Sequence, residues 1–249
     1  MKTSLTLCDV GPTGIGGLES FSPFTLKVHR ALALAELPYA TRRGKAPGDF
    51  KDLNPAGQVP VLLEGDEPIY DSTRILLRIA ELAPDTIVPT DPRRRALVWL
   101  WEDWADRSLV NFVLAARWAD DKNWPNLREA FFGKAPWIVR KLVAPQVRRK
   151  VLDTLKARDV TRHGLRFVWD DLARILDQLE ALAPLTGFWA GAERPSVADI
   201  AIFAHLRSLR TPLTPEQARI IEMRPALVDW LDRVDAETRS TPRLVKAAA

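Results

Sequence analysis

A small α/β unit followed by a larger all-helical unit is the fold class that this sequence predicts. Three observations carry that expectation. Short extended runs and amphipathic helices alternate through the first third of the chain. The stretch APDTIVPTDPRRR (83–95) then brings three prolines and no hydrophobic period. Beyond it nearly every apolar run has helical spacing, and all nine tryptophans lie at or after Trp99. A chain of 249 residues is long enough for one large domain or two modest ones. The expected division is 1–84 for the α/β unit, 85–92 for a linker and 93–249 for the helical unit.

The elements follow in order. Leu5–Val10 alternates loosely and reads as a strand, and the Gly-rich GPTGIGG (11–17) as a loop. Helical spacing of Phe24, Val28, Ala31, Leu32 and Ala35 predicts a helix from Pro23 to about Glu36, which Pro38 stops. Tyr39–Arg42 reads as a second strand. Val59–Leu63 and Pro68–Tyr70 flank the turn residues Glu64, Gly65 and Asp66, the pattern of a hairpin. A helix then opens at Ser72, with Ile75, Leu76 and Ile79 on one face, and ends before Pro84. Asp91-Pro92 supplies an N-cap and a first helical residue. Leu165, Val168, Trp169, Leu172, Ile175, Leu176, Leu179 and Leu182 form one helical stripe. Further helices are expected at Ser196 and at Thr214-Pro215, and the tryptophans predict a bulky aromatic interior.

Composition narrows the function classes. A hydrophobic fraction of 47% with 27% charged residues is that of a globular protein. The single cysteine, Cys8, rules out an internal disulfide and a Cys-only metal site, in keeping with a reducing cytoplasm. MKTSLTLCDV holds no apolar stretch of signal-peptide length, and no 18-residue apolar run occurs. A cytoplasmic protein without a membrane span is therefore expected. Net charge is only +4, and its excess is local: residues 140–166 hold nine Lys/Arg against Asp153 and Asp159, leaving +7 there and −3 elsewhere. Such a segment reads as a solvated helix face. No zinc-finger or RNA-binding signature accompanies it, so nucleic acid is not expected as a partner. His29, His163 and His205 lack metal-ligand spacing, no Ser/His/Asp set suggests hydrolysis, and GPTGIGG fits no phosphate-binding fingerprint.

Three stretches carry chemistry. In ESFSPFTLKVHRAL (19–32), Ser22 precedes a proline and a helix; it is either an N-cap alone or a hydroxyl aimed at a ligand. In NPAGQVPVLLEG (54–65), Pro60 opens a hairpin strand. It is either a plain edge-strand start or a cis proline that turns the Val59 backbone outward to pair with an extended peptide. In YDSTRILLRIAE (70–81), Ser72 is either an N-cap or, with the free N–H groups of a helix start, a seat for a carboxylate. Asp71 beside it suits an ammonium, and an amino-acid group needs both.

In this order the motifs resemble the glutathione transferase superfamily, with RPSVADIAIF (194–203) similar to that family's buried capping box at Ser196 and Asp199. The resemblance implies a thioredoxin-like N-terminal domain and a helical-bundle C-terminal domain. It implies that Pro60 is the cis proline, that Val59 pairs with the cysteinyl part of glutathione, that Asp71 and Ser72 hold the γ-glutamyl end, and that Gln58 lies near the glycyl carboxylate. Ser22 then faces the sulfur, and Phe24 and Trp104 are candidates for a wall against a hydrophobic electrophile. No cysteine stands at the Ser22 position, so mixed-disulfide chemistry loses support, and Cys8 reads as a buried apolar residue.

The resulting chemistry is simple. A thiol of pKa about 8.5 holds little thiolate at neutral pH. A helix N-terminus contributes about 0.3–1 kcal/mol, less than one pKa unit at about 1.36 kcal/mol per unit. A hydroxyl that donates to the thiolate adds about 1.5–3 kcal/mol. The implied activity is a glutathione-dependent transferase of a homodimer, detoxifying small hydrophobic electrophiles. A glutathione-dependent etherase and a non-catalytic docking protein of the same fold, metaxin-like or stringent-starvation-like, are the alternatives; the basic insertion at 134–166 favours docking.

Overall fold

A computed structural model describes residues 4–239. Its α/β unit holds β1 (Leu5–Val10), α1 (Pro23–Leu34), β2 (Tyr39–Gly44), β3 (Val61–Glu64), β4 (Glu67–Tyr70) and α2 (Ser72–Leu82). The strands form one sheet in the order β2-β1-β3-β4. β1 runs parallel to β2, with Leu5 against Tyr39, and antiparallel to β3, with Cys8 against Val61. The β3–β4 hairpin pairs Val61 with Tyr70 and Glu64 with Glu67. Its turn is only Gly65-Asp66, with Gly65 at φ +66, a conformation that suits glycine. The predicted first strand of the hairpin begins two residues late, because the Val59-Pro60 bond is cis and Pro60 has no N–H to give a ladder.

The helical unit opens at Pro92, where Asp91 Oδ1 accepts the Arg94 N–H at 2.8 Å. α3 (Pro92–Trp104) continues through a π-turn at Ala105–Leu109, α4 (Val110–Leu114) and a second π-turn at Ala115–Ala119. α5 (Trp124–Phe132), a π-turn at Val139–Val143, α6 (Ala144–Ala157), α7 (Leu165–Leu182), α8 (Val197–Leu209), α9 (Pro215–Glu222) and α10 (Pro225–Thr238) follow. Residues 240–249, the end of the predicted helical unit, lie outside the described residues. α8 is apolar on nearly every side and correspondingly central, packing on α1, α3 and α10. Its start is the capping box expected from RPSVADIAIF. Asp199 accepts from the Ser196 N–H and hydroxyl at 2.9 and 2.8 Å, and also from Trp189 N–H and the Trp230 indole.

One apolar cluster runs from Leu7, Val28 and Ile75 in the sheet unit to Leu172, Ile202 and Trp230 in the helices. The proline-rich segment takes part in it. Ile87 and Val88 are buried, and Ile87 O accepts from Val197 N–H. The aromatic interior holds for Trp189 and Trp230 but not for Trp137, which is 69% exposed on the surface before α6.

Candidate functional site

Strand register gathers the predicted residues at one end of the sheet. Val61 pairs with both Cys8 and Tyr70. The carboxyl end of β1, the start of β3 and the end of β4 are therefore neighbours. The loop leading to Ser22, the Val59-Pro60 bond and the Asp71-Ser72 step all emerge there.

Ser22 is the N-cap of α1. Its Oγ accepts the Thr25 N–H at 3.3 Å, Pro23 occupies the first helical position, and the side chain is half-buried. Capping uses an oxygen lone pair. The hydroxyl proton donates to no group among the described residues. Cap and donor are thus compatible roles for one side chain.

The serine's approach is held from both units. Ser20 Oγ accepts the Ser22 N–H and donates to Asp9 Oδ1 at 2.7 Å. Asp9 is fully buried; its other oxygen takes Arg43 at 2.9 Å and the His29 ring at 3.3 Å. A His29 protonated at Nε2 donates to Asp9 and accepts from the Tyr39 hydroxyl, 2.8 Å from its Nδ1. From the helical unit, Arg117 donates to Phe21 O at 2.5 Å and to Ser208 O at 2.9 Å. It is buried with no carboxylate paired to it among the described residues, and burial pushes its pKa down to about 10, so it remains charged at neutral pH. Arg207 donates to Gly16 O, and Arg30, ion-paired with Asp235 of α10, to Gly17 O.

On the second strand edge, Asn54 clamps the turn before the cis bond. Its amide donates to Gln58 O at 2.9 Å and its Oδ1 accepts from Ala56 N–H. Gln58 is exposed, Val59 half-buried and Pro60 buried. At the α2 start the cap is Asp71 and not Ser72. Asp71 Oδ1 accepts from Thr73 and Arg74 N–H at 3.1 and 3.2 Å, while Ser72 is the first helical residue and buried. Asp71 adopts φ +76, ψ +123, a region costly for a residue with a Cβ. One carboxylate oxygen caps the helix, and its other oxygen accepts from no group among the described residues.

Beneath these lies a buried ionic cluster absent from the sequence reading. Lys27, on α1, contacts Glu102 at 2.6 Å and Asp106 at 2.5 Å, and Glu102 also accepts the Thr73 hydroxyl at 2.8 Å. Burial pushes both carboxyls up, against the Lys27 ammonium that holds them down. His205 of α8 points its Nε2 at Asp106 from 3.9 Å. Its Nδ1, 2.8 Å from Ala201 O, must carry the proton, because a carbonyl only accepts. Burial pushes its pKa down to about 3, so His205 stays neutral.

The two candidate wall residues have different surroundings. Phe24 is half-buried, edge-on to His205 at 5.6 Å and beneath Lys27. Trp104 stands edge-on to Trp101, in a run that continues through Trp189 to the buried Trp230 of the helical core. The ring nearest to Ser22 in the chain is Phe21, which lies 4.6 Å from Phe131, itself edge-on to Trp118 at 5.7 Å.

Asp9, Ser20, Asn54, Arg117 and the Lys27 cluster were missed from the sequence. Lys27 carried a signal. It falls one turn after Phe24 and between the apolar Leu26 and Val28 of α1, and Glu102 and Asp106 are four apart, on one helical face. Cys8 is buried and its pKa is raised by burial. Among the described residues, no cluster of three His, Cys, Asp or Glu is disposed to hold a metal ion, and no helix is long and apolar enough to cross a membrane.

The family model for the glutathione S-transferase N-terminal domain matches residues 21–82, and that for the C-terminal domain matches 102–233. Glutathione S-transferase T1 of Arabidopsis thaliana is 23% identical over 199 residues, 79% of this chain and 70% of that protein. The chain is similar in fold to β-etherase LigF from Sphingobium sp. strain SYK-6, with a TM-score of 0.66 and 22% identity, over 94% of this chain and 95% of that one. It is also similar to a glutathione S-transferase of Methylobacterium radiotolerans solved with glutathione sulfonate, at a TM-score of 0.57 and 18% identity, over 98% and 99% of the two chains.

Proposed function

Because this chain belongs to the glutathione S-transferase family, we propose that it activates the glutathione thiol and transfers the thiolate to a small hydrophobic electrophile. The observation that carries the reading is Ser22: its lone pair caps α1 while its proton remains to donate, at the sheet end where Val59 and Asp71 also emerge. The thiol loses its proton to solvent, Ser22 donates to the resulting thiolate, and the first N–H groups of α1 add a weaker field. The thiolate forms a C–S bond as the bond from the electrophilic carbon to a leaving group such as halide breaks. The backbone of Val59 pairs with the cysteinyl unit. Asp71, through its uncapped oxygen, takes the ammonium, and Ser72 with the α2 N-terminus takes the carboxylate. Gln58 reaches the glycyl end. Phe24 borders the electrophile, with the Phe21–Phe131 pair as a further apolar surface; Trp104 is a more distant candidate.

The protein works as a homodimer, a reading supported by Tyr70, Leu77, Leu97 and Leu100, which are exposed on β4, α2 and α3; its single cysteine is in keeping with the reducing cytoplasm as its place. Ether cleavage is the second reading, favoured by the fold likeness to a β-etherase. There the thiolate forms a C–S bond as a C–O bond breaks, and the departing oxygen takes a proton.

The test is Ser22→Ala, assayed with a panel of aryl halides and aryl ethers after retention on immobilised glutathione. A hydrogen bond to a charged group is worth about 1.5–3 kcal/mol, so turnover falls about 10- to 150-fold while glutathione affinity changes by less than about threefold. Unchanged turnover removes Ser22 from the mechanism. Failure of the parent protein to be retained favours the docking alternative.

A further inference from the structure

The surface formed by residues 134–157 has no part in the proposed reaction. Its inward stripe is accounted for. Ala144 and Leu155 are buried, Arg140 pairs with Glu129, and Arg148 pairs with Asp121 and lies over the Trp124 ring. The outward stripe has no such partners. The adjacent Trp137 and Ile138 are 69% and 51% exposed, and Leu142, four residues after Ile138 and within the π-turn, is 56% exposed. Lys134, Lys141, Arg149 and Lys150 of the same segment are exposed. None of the four makes an ion pair among the described residues, and the Lys141 ammonium lies 6.0 Å from the Trp137 ring.

We propose that this face binds the surface of an anionic lipid bilayer. Large apolar side chains kept in water next to free ammonium groups suit a medium that is apolar below and anionic above. Trp, Ile and Leu enter the headgroup–acyl boundary while Lys and Arg stay with the lipid phosphates. Tryptophan in particular favours that boundary. A second copy of the chain fits less well, since a two-fold contact would set these cations against their own equivalents. Nucleic acid would satisfy the charges but leave Ile138 and Leu142 without apolar cover. The binding is peripheral, and it does not depend on the transferase reading.

The experiment is flotation of the whole protein with vesicles of phosphatidylcholine alone or mixed with phosphatidylglycerol, at low and high ionic strength. The protein should float with the anionic vesicles at low salt and at least about tenfold less with phosphatidylcholine or at high salt. Trp137→Ser/Ile138→Ser/Leu142→Ser should lower flotation about tenfold or more, and the four-residue change of Lys134, Lys141, Arg149 and Lys150 to Gln should do the same. Far-UV circular dichroism and melting establish that both variants are folded. No flotation with anionic vesicles, or flotation unaffected by both variants, overturns the proposal. So does a fall in solution mass of the apolar variant, which marks the face as a self-contact. Tighter binding to DNA or RNA than to vesicles at equal salt also overturns it.

Discussion

Lys27→Met removes the ammonium from the cluster between α1 and α3 and keeps the apolar stem. Glu102 and Asp106 are then left buried with no cation, and Glu102 retains the Thr73 hydroxyl. Breaking a buried ion pair by deleting one partner costs about 3–5 kcal/mol. For a chain of this length each kcal/mol moves Tm by about 2–4 °C, so Tm falls by about 6–20 °C at neutral pH. The pH dependence has a fixed sign. Burial already holds both carboxyls above their ordinary range, and without Lys27 only hydrogen bonds, from Thr73 to Glu102 and between the two carboxyls, oppose it. A carboxyl whose folded pKa is raised costs stability above that pKa and recovers it as pH falls through it. The deficit is therefore largest near pH 8 and narrows towards pH 5. Thermal melts of parent and variant across that range read it directly. Adding Glu102→Gln and Asp106→Asn should recover most of the loss at neutral pH. A deficit below about 1 kcal/mol, or one constant with pH, would refute the assignment of the cluster as a buried pair sharing one cation.

Two further substitutions test the supports of the site. Arg117→Met deprives Phe21 O and Ser208 O of donors, at about 1–3 kcal/mol each, but also removes a buried charge that has no carboxylate partner among the described residues. Stability should change by less than about 2 kcal/mol while turnover drops about ten- to a hundredfold, because the peptide before Ser22 loses its anchor; a large fall in Tm with turnover intact contradicts this. Asp199→Ala removes the acceptor of four donors and should cost at least about 3 kcal/mol, measured as a lower urea midpoint. Asp199→Asn, which keeps one acceptor oxygen, should cost less, and equal stability of the Ala variant and the parent would refute the four-donor account.

Much of the fold was legible because local rules write it into neighbouring residues. Asp91-Pro92 and Ser196 with Asp199 each mark a helix start within four positions, and Gly65 marks the hairpin turn. Asp71 misled because a serine follows it. Asp and Ser cap about equally well by type, and the backbone at Asp71, at positive φ, gives the cap to its carboxylate. The supports of the site were illegible for a different reason. Lys27 and Glu102 are 75 residues apart, and Arg117 and Phe21 are 96 apart. No period or spacing links such pairs; only packing does. The π-turns at 105–109 and 115–119 likewise leave no mark in the apolar pattern.

The loop that delivers Ser22 belongs to the sheet unit by sequence, but its carbonyls at Gly16 and Phe21 are held by Arg207 and Arg117 of the helical unit. The two halves are consequently not interchangeable parts. A helical unit exchanged for one from a relative would remove these two anchors and re-aim the serine. A change in helices far along the chain thereby reaches the Ser22 hydroxyl as well, so the position of that side chain is inherited with the helical unit and not with the sheet alone.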